Sequence, residues 1–512
     1  MRTAQTAELQ RFGDLRRSLQ IAPIVVGLAA ALALVVAARI QTPYSYFGIA
    51  VWIALLAFAG FRWPGGTLVF AALGSMADPV ILPAIARQGS SLAVYGYTDS
   101  LLIGAGIGIA AGAVMRGRFV DGLRDRALIP IAGYVLVALV SAVVNLVSPV
   151  VAIAGIVSTI DAMAILFLAR MAFSGETWMW RALAAFLVLM GVASLIAIGQ
   201  VLLTPNFLGL AAFQGGYGEG ARATAFFGNP NHLAPLLGLA LAFTAFGFRA
   251  LKGRLARGAA VGFMFVLMLA LVLTFSRSGW LAFGLGAGSI ALVFDRKALV
   301  IILVVGVVAL VTALYMPREL LVGQQAGAES QPPNLEDLTL GRTNAIAEGQ
   351  DLRTIFIAES IPVVLHDPLV GVGPGRFGGA AANVFGSPVY SEFGVSLYRF
   401  HTIHDYWLHQ LAEVGVLGTL ALAVLMVSLI LRLVRAATRT SDDLRRAILL
   451  ATAAGTLAMS LNSLTEMLLE GNSPSFDLWL FIGLGLLVAE RVLGSTLVGR
   501  PQASPQPSPQ RT

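Results

Sequence analysis

The chain has five histidines, His232, His366, His401, His404 and His409, and three of them fall within nine residues. Imidazole is the side chain best suited to moving a proton near neutral pH. In the stretch from Arg399 to Gly415, His401 and His404 are three apart and Asp405 and His409 four apart, spacings that put each pair on one face of a helix. Histidines gathered there point to proton transfer or ligand binding. His401 and His404 with a carboxylate could instead ligate a metal, although the spacing matches no recognised zinc pattern. A second group runs from Arg222 to His232. Asn229 before Pro230 reads as a helix start, Asn as N-cap and Pro at the first helical position. With Asn231 just inside the helix and Arg222 upstream, free amides and a guanidinium there favour an anion. The third group is Thr274-Phe-Ser-Arg-Ser-Gly-Trp280. Ser276 and Ser278 can cap the helix that follows, leaving Arg277 at a boundary where it serves either a polar site or a lipid headgroup.

These groups must be positioned by a very apolar chain. Of 512 residues, 57% are hydrophobic and 12% charged, and charged residues usually make up about 25% of a soluble protein. Mean hydropathy is +0.82. Soluble, disordered and fibrous classes are excluded, and the composition predicts an all-α polytopic membrane protein, since only helices satisfy long apolar backbone in lipid. Apolar runs fall at about 21–38, 45–61, 66–86, 101–115, 128–147, 150–170, 182–203, 232–248, 259–275, 279–294, 298–315, 411–431, 447–467 and 475–493. Because the third holds Pro79 and Pro83 and two others are short, 12 to 14 transmembrane helices are expected. There is no cysteine, hence no disulfide and no thiolate chemistry.

The resulting division is a cytoplasmic N-terminal segment (1–20), transmembrane helices 1–11 (21–315), an external loop (316–410), helices 12–14 (411–493) and a Pro/Gln/Ser-rich disordered cytoplasmic tail (494–512). The external loop is too long for a passive connection and is expected to fold as a small, partly helical cap. Counting basic residues on alternate sides places 25 of the 34 Lys and Arg with both termini, which makes both termini cytoplasmic and all five histidines external. The net charge of +7 is mostly this bias and implies no nucleic-acid partner. The first apolar run reads as retained, not as a cleaved signal. Gly104-Ala-Gly-Ile-Gly108 reads as close helix packing, and Gly371-Val-Gly-Pro-Gly-Arg376 as a phosphate nest or a plain Gly/Pro loop. Asp78, Asp161 and Glu466, ionisable groups in or near spans, support a rival transporter reading.

Four stretches in order resemble the O-antigen ligase and O-antigen polymerase family of bacterial membrane glycosyltransferases, over about residues 220–430. They are Arg222 with Gly228-Asn-Pro-Asn231; Ser276-Arg277; Gly341-Arg342 with His366-Asp-Pro-Leu-Val-Gly-Val-Gly373; and His404-Asp-Tyr-Trp-Leu with Glu413-Val-Gly-Val-Leu-Gly418. The family's usual His-Asn pair stands here as His404-Asp405. The resemblance implies inverting transfer of a glycan from an undecaprenyl-pyrophosphate carrier to a hydroxyl of a glycan or lipid acceptor, at the external face of the bacterial inner membrane among its lipids. It implies no metal and no cofactor. His404 would be the general base; Arg222, Arg277, Arg342, Asn229 and Asn231 would bind pyrophosphate or glycan; His401, Asp405 and Glu413 would support them. A ligase and a polysaccharide polymerase share this machinery, and a polysaccharide or lipid transporter is the reading from another class.

Overall fold

The computed structural model describes residues 44–79, 97–173, 177–214, 221–315, 352–395, 404–470 and 473–498. In chain order the helices are α1 (Tyr44–Arg62), α2 (Pro64–Gly74), α3 (Tyr97–Met115), α4 (Phe119–Leu123), α5 (Leu128–Val144), α6 (Pro149–Ile160), α7 (Ala164–Ala172), α8 (Thr177–Leu202), α9 (Pro230–Gly247), α10 (Arg254–Leu273), α11 (Arg277–Phe294), α12 (Arg296–Leu314), α13 (Leu352–His366), α14 (Ala380–Phe385), α15 (Pro388–Glu392), α16 (Tyr406–Arg439), α17 (Asp443–Asn462) and α18 (Ser473–Val498). Strand pairing is confined, among the described residues, to a two-residue antiparallel ladder between β1 (Phe213–Gln214) and β2 (Ala221–Arg222).

The protein is an all-α polytopic membrane protein. Seven helices among the described residues are long and apolar enough to cross a membrane, or eight if the bent pair α6–α7 is one span. Helices α1, α2, α3 and α5 are apolar but shorter, and they lie where the second to fifth runs were expected. The first run, the N-terminal segment, residues 316–351 and the tail beyond residue 498 lie outside the described residues, and α18 runs on through residues 494–498, which the sequence assigns to the disordered tail. Between α6 and α7 the chain bends by 56°. There the Asp161 carboxylate accepts from the next backbone amide, Ala162, and such local bonding competes with the helical ladder.

Helices α9 and α17 lie at the centre, where Leu233, Leu236, Leu237, Leu239 and Leu450 are fully enclosed. They pack on each other, α9 also on α10 and α11, and α17 also on α11 and α16. By contrast α12 leaves Val300, Leu303, Val304, Val307 and Val311 exposed among the described residues, an outward apolar band of the kind a lipid-facing helix presents.

Residues 352–395 form a partly helical cap, α13 to α15, with its own small core of Phe356, Val363, Val372, Phe377, Val389 and Tyr390. It docks on a break in α16. Gly415 has φ +64°, so the helix is interrupted there, and backbone amides pair across the gap. Val372 N–H donates to Ala412 O, Gly373 N–H to Glu413 O and Val416 N–H to Pro368 O, at 2.8 to 3.0 Å. A Cβ on Gly415 would sit 2.3 Å from the Leu369 carbonyl carbon, so only glycine admits the approach.

Candidate active site

At one end of the bundle the helix starts α9, α11 and α16 converge. Each is capped as its sequence dictates. Asn229 Oδ1 accepts from Asn231 N–H at 2.9 Å, Ser276 Oγ from Gly279 N–H at 3.4 Å, and Asp405 Oδ1 from Leu408 N–H at 3.0 Å. Three positive helix ends therefore face one region.

A hydrogen-bonded chain of four side chains links them. Arg222, on β2, is buried and donates from Nε to Thr274 O (3.0 Å) and from Nη2 to Phe275 O (3.3 Å) and Asn231 Oδ1 (3.1 Å). Asn231 Nδ2 donates to Glu466 Oε1 at 2.6 Å. Glu466 Oε2 lies 3.4 Å from His404 Nδ1. The Glu466 side chain is 3% exposed and that of His404 41%, so the carboxylate is the buried anchor and the imidazole the group that reaches out. Phe356 of the cap lies beside the His404 ring, centroids 6.2 Å apart.

The loops carrying this chain are held in unusual conformations. Phe275 (φ +49°) and Ala225 (φ +50°) occupy the left-handed region, which costs a non-glycine residue about 1 to 2 kcal/mol. Arg222 holds the first by binding its carbonyl. The second is held by buried Gln200 of α8, whose Oε1 accepts from Thr224 and Ala225 amides at 2.9 and 2.8 Å.

Several expectations change at this point. His404 precedes α16, so it does not share a helix face with another histidine, and His401 lies outside the described residues, as does Arg342. Asp405 is an N-cap and not the face partner of His409. Burial raises its carboxyl above the usual range, against the opposing pull of the Leu408 and Trp407 amides and His409. Arg277 is the first residue of α11 and half-buried. Among the described residues no three His, Asp or Glu side chains converge as metal ligands.

Glu413 lies away from the His404 chain, and its role is mechanical. Its carboxylate accepts from Gly375 and Phe377 amides, both at 2.8 Å, so the glycine loop 371–376 is a nest filled by the protein's own side chain. His409 packs against it, 3.7 Å from Glu413 and 3.5 Å from Glu470, with Nδ1 2.6 Å from Phe377 O. His366 packs edge-on against Phe393 inside the cap.

Glu466 is read from the sequence as marking either a transport path or a buried pair, and the fold makes it a buried pair. Its signal was present, a carboxylate in an otherwise apolar run, but its partners Asn231 and His404 are 235 and 62 residues away.

The fold is thus that of a helical membrane protein whose capped end gathers an arginine, an amide, a carboxylate and a histidine. Residues 262–423, about a third of the chain, match the family model of the O-antigen ligase. No curated protein matches the chain. The matched stretch contains Arg277 and His404, whereas Arg222, Asn231 and Glu466 lie outside it and reach the same site through the fold.

Proposed function

We propose that the protein transfers a glycan from an undecaprenyl-pyrophosphate-linked donor to an acceptor hydroxyl, at the external face of the bacterial inner membrane, with both termini cytoplasmic. The observation that carries this reading is the chain Arg222–Asn231–Glu466–His404 at the mouth of three helix N-termini.

The acceptor O–H attacks the anomeric carbon, its oxygen forming the new glycosidic bond while the bond from that carbon to pyrophosphate breaks. The proton passes to His404 Nε2, and undecaprenyl pyrophosphate leaves with the bonding electrons. Glu466 holds Nδ1–H, which selects the tautomer with its Nε2 lone pair outward and stabilises the imidazolium as it forms. A separation of 3.4 Å is long for a charge-assisted bond, and such contacts commonly tighten when substrate is bound. Arg277 and the three helix starts stabilise the departing pyrophosphate. Arg222 acts through the loop it ties, positioning the turn before α11 and the amide of Asn231; Asn229 caps the helix that presents them. Arg342 keeps its expected part, glycan or phosphate binding, and His401 a supporting part too small to limit transfer.

The test uses purified protein, a lipid-linked donor and single-turnover transfer measured separately from donor binding. His404→Ala should cost about a hundredfold to ten-thousandfold in transfer with donor binding largely kept, while His401→Ala stays near wild type. Glu466→Gln should cost about tenfold to a hundredfold, ~1.4 to 2.8 kcal/mol in the barrier. Near-normal transfer by His404→Ala, or a defect wholly in donor binding, would remove the base assignment.

A further inference from the structure

The opposite end of the bundle holds a second charged assembly that the transfer reaction does not use. Asp125, in the α4–α5 connection, is fully enclosed and gripped by Arg170 of α7 (2.8 Å) and by both terminal nitrogens of Arg432 of α16 (2.7 and 3.2 Å). Glu490 of α18 completes the group, paired with Arg170 and 3.5 Å from Arg432. Two arginines are thereby matched by two carboxylates.

Beside this floor opens a cavity of about 490 Å³, lined by Arg124, Arg126, Arg432, Arg435, Arg439 and Glu490. Arg124 pairs with exposed Asp121 at 3.2 Å. None of the ion pairs among the described residues includes Arg126, Arg435 or Arg439, so three cations from two separate elements converge on one space whose one lining carboxylate, Glu490, is already matched to Arg170 and Arg432. Its size suits a small ligand, and guanidinium groups fit phosphate oxygens.

The surroundings say what carries the phosphate. On α16 the residues at 420, 424, 427, 431, 435 and 439 recur at three or four positions and form one stripe. Leu420, Val424, Val427 and Leu431 are exposed and apolar, and the stripe then turns basic at Arg435 and Arg439. Ile129 at the start of α5 and Leu493 of α18 add apolar flank. An acyl chain along the first part would bring its headgroup to the second.

We propose that this cavity binds the phosphodiester headgroup of an anionic phospholipid in the leaflet opposite the His404 site. From Val416 to Arg439 the helix runs 24 residues, about 36 Å at 1.5 Å each, so the cavity and the transfer site sit at different membrane surfaces. The inference stands whatever reaction His404 serves.

The probe is phosphatidylglycerol against phosphatidylcholine, bound to full-length protein in detergent and read by native mass spectrometry. Wild type should retain phosphatidylglycerol at least about tenfold more tightly. The triple variant Arg126→Gln, Arg435→Gln, Arg439→Gln should lose that preference. A second triple variant, Lys252→Gln, Arg254→Gln, Arg257→Gln, removes three charges from the same end of the bundle outside the cavity and should keep it. Equal loss in both variants would mean general surface charge and would overturn the site, as would an unchanged preference in the first. Inorganic pyrophosphate at millimolar concentration should not displace the lipid; displacement would reassign the cavity to a soluble phosphate anion and overturn the lipid.

Discussion

At the scale of single residues, the site separates groups that touch substrate from groups that hold the frame. Arg222 and Arg277 look equivalent in sequence, each an arginine beside a helix start. In the fold, Arg222 is buried with three acceptors on two of its nitrogens, whereas Arg277 opens a helix at the site. Lysine cannot make a planar fork, so both Arg→Lys variants should slow transfer about tenfold to a hundredfold. They should differ in stability. Arg222→Lys should lose about 1.5 to 3 kcal/mol, read as a lower melting temperature, while Arg277→Lys should lose less stability than that and more donor affinity. Equal melting of the two would return Arg222 to direct phosphate binding alone. Position 405 has a plain account too. Asp and Asn serve about equally as N-caps, so Asp405 standing where the resemblance expects Asn leaves the start of α16 intact.

At the scale of elements, the break in α16 is the joint on which the cap is mounted. Two motifs that look like site sequence, His366 to Gly373 and Glu413 to Gly418, are the two halves of this joint. Asn145 at the end of α5 reinforces it, donating to Gly371 O at 2.8 Å, and Arg376 returns a bond to Asn145 O at 3.1 Å. Gly415→Ala combines a left-handed φ with a backbone clash and should cost about 2 to 4 kcal/mol. Limited proteolysis should then cut within 367–395 at protease levels that spare wild type. Unchanged protection would show that the cap is held by its side-chain core and not by this joint.

At the scale of the whole molecule, the two ends are chemically different. Arg249 with Asp295, Arg446 with the Phe294 carbonyl, and the Asp125 cluster gather at one end, the His404 chain at the other. If the basic end is cytoplasmic, reporter fusions at Glu329 and at the C-terminus should report opposite compartments; the same compartment for both would reverse the site assignment. The basic end also carries a pH signature. Burial pushes the Asp125 carboxyl up, but the hydrogen bond and charge of Arg432, the Ala127 amide and the charge of Arg170 hold it below the usual carboxylate range. A lowered native pKa means stability present above the ordinary carboxylate range and lost as pH falls through the lowered value. Melting temperature should therefore fall more steeply on acidification in wild type than in Asp125→Asn. Parallel curves would show that the cluster adds nothing measurable.

Local chemistry made much of this legible in advance. Apolar length specified the spans from α8 to α12 and those of α16 and α17, because a helix in lipid satisfies its backbone within its own segment. The caps at Asn229 and Ser276 were readable because N-capping acts across two or three residues. Spacing alone misplaced His404 on a helix, because the true start of α16 at Tyr406 depends on Asp405 turning inward to cap it. Nor could the sequence pair Glu466 with His404 and Asn231, or assign Glu413 to a glycine nest on a distant loop. Those choices were made by the tertiary structure, because a buried carboxylate must find donors, and which donors reach it is settled only when α9, α16, α17 and the cap pack together.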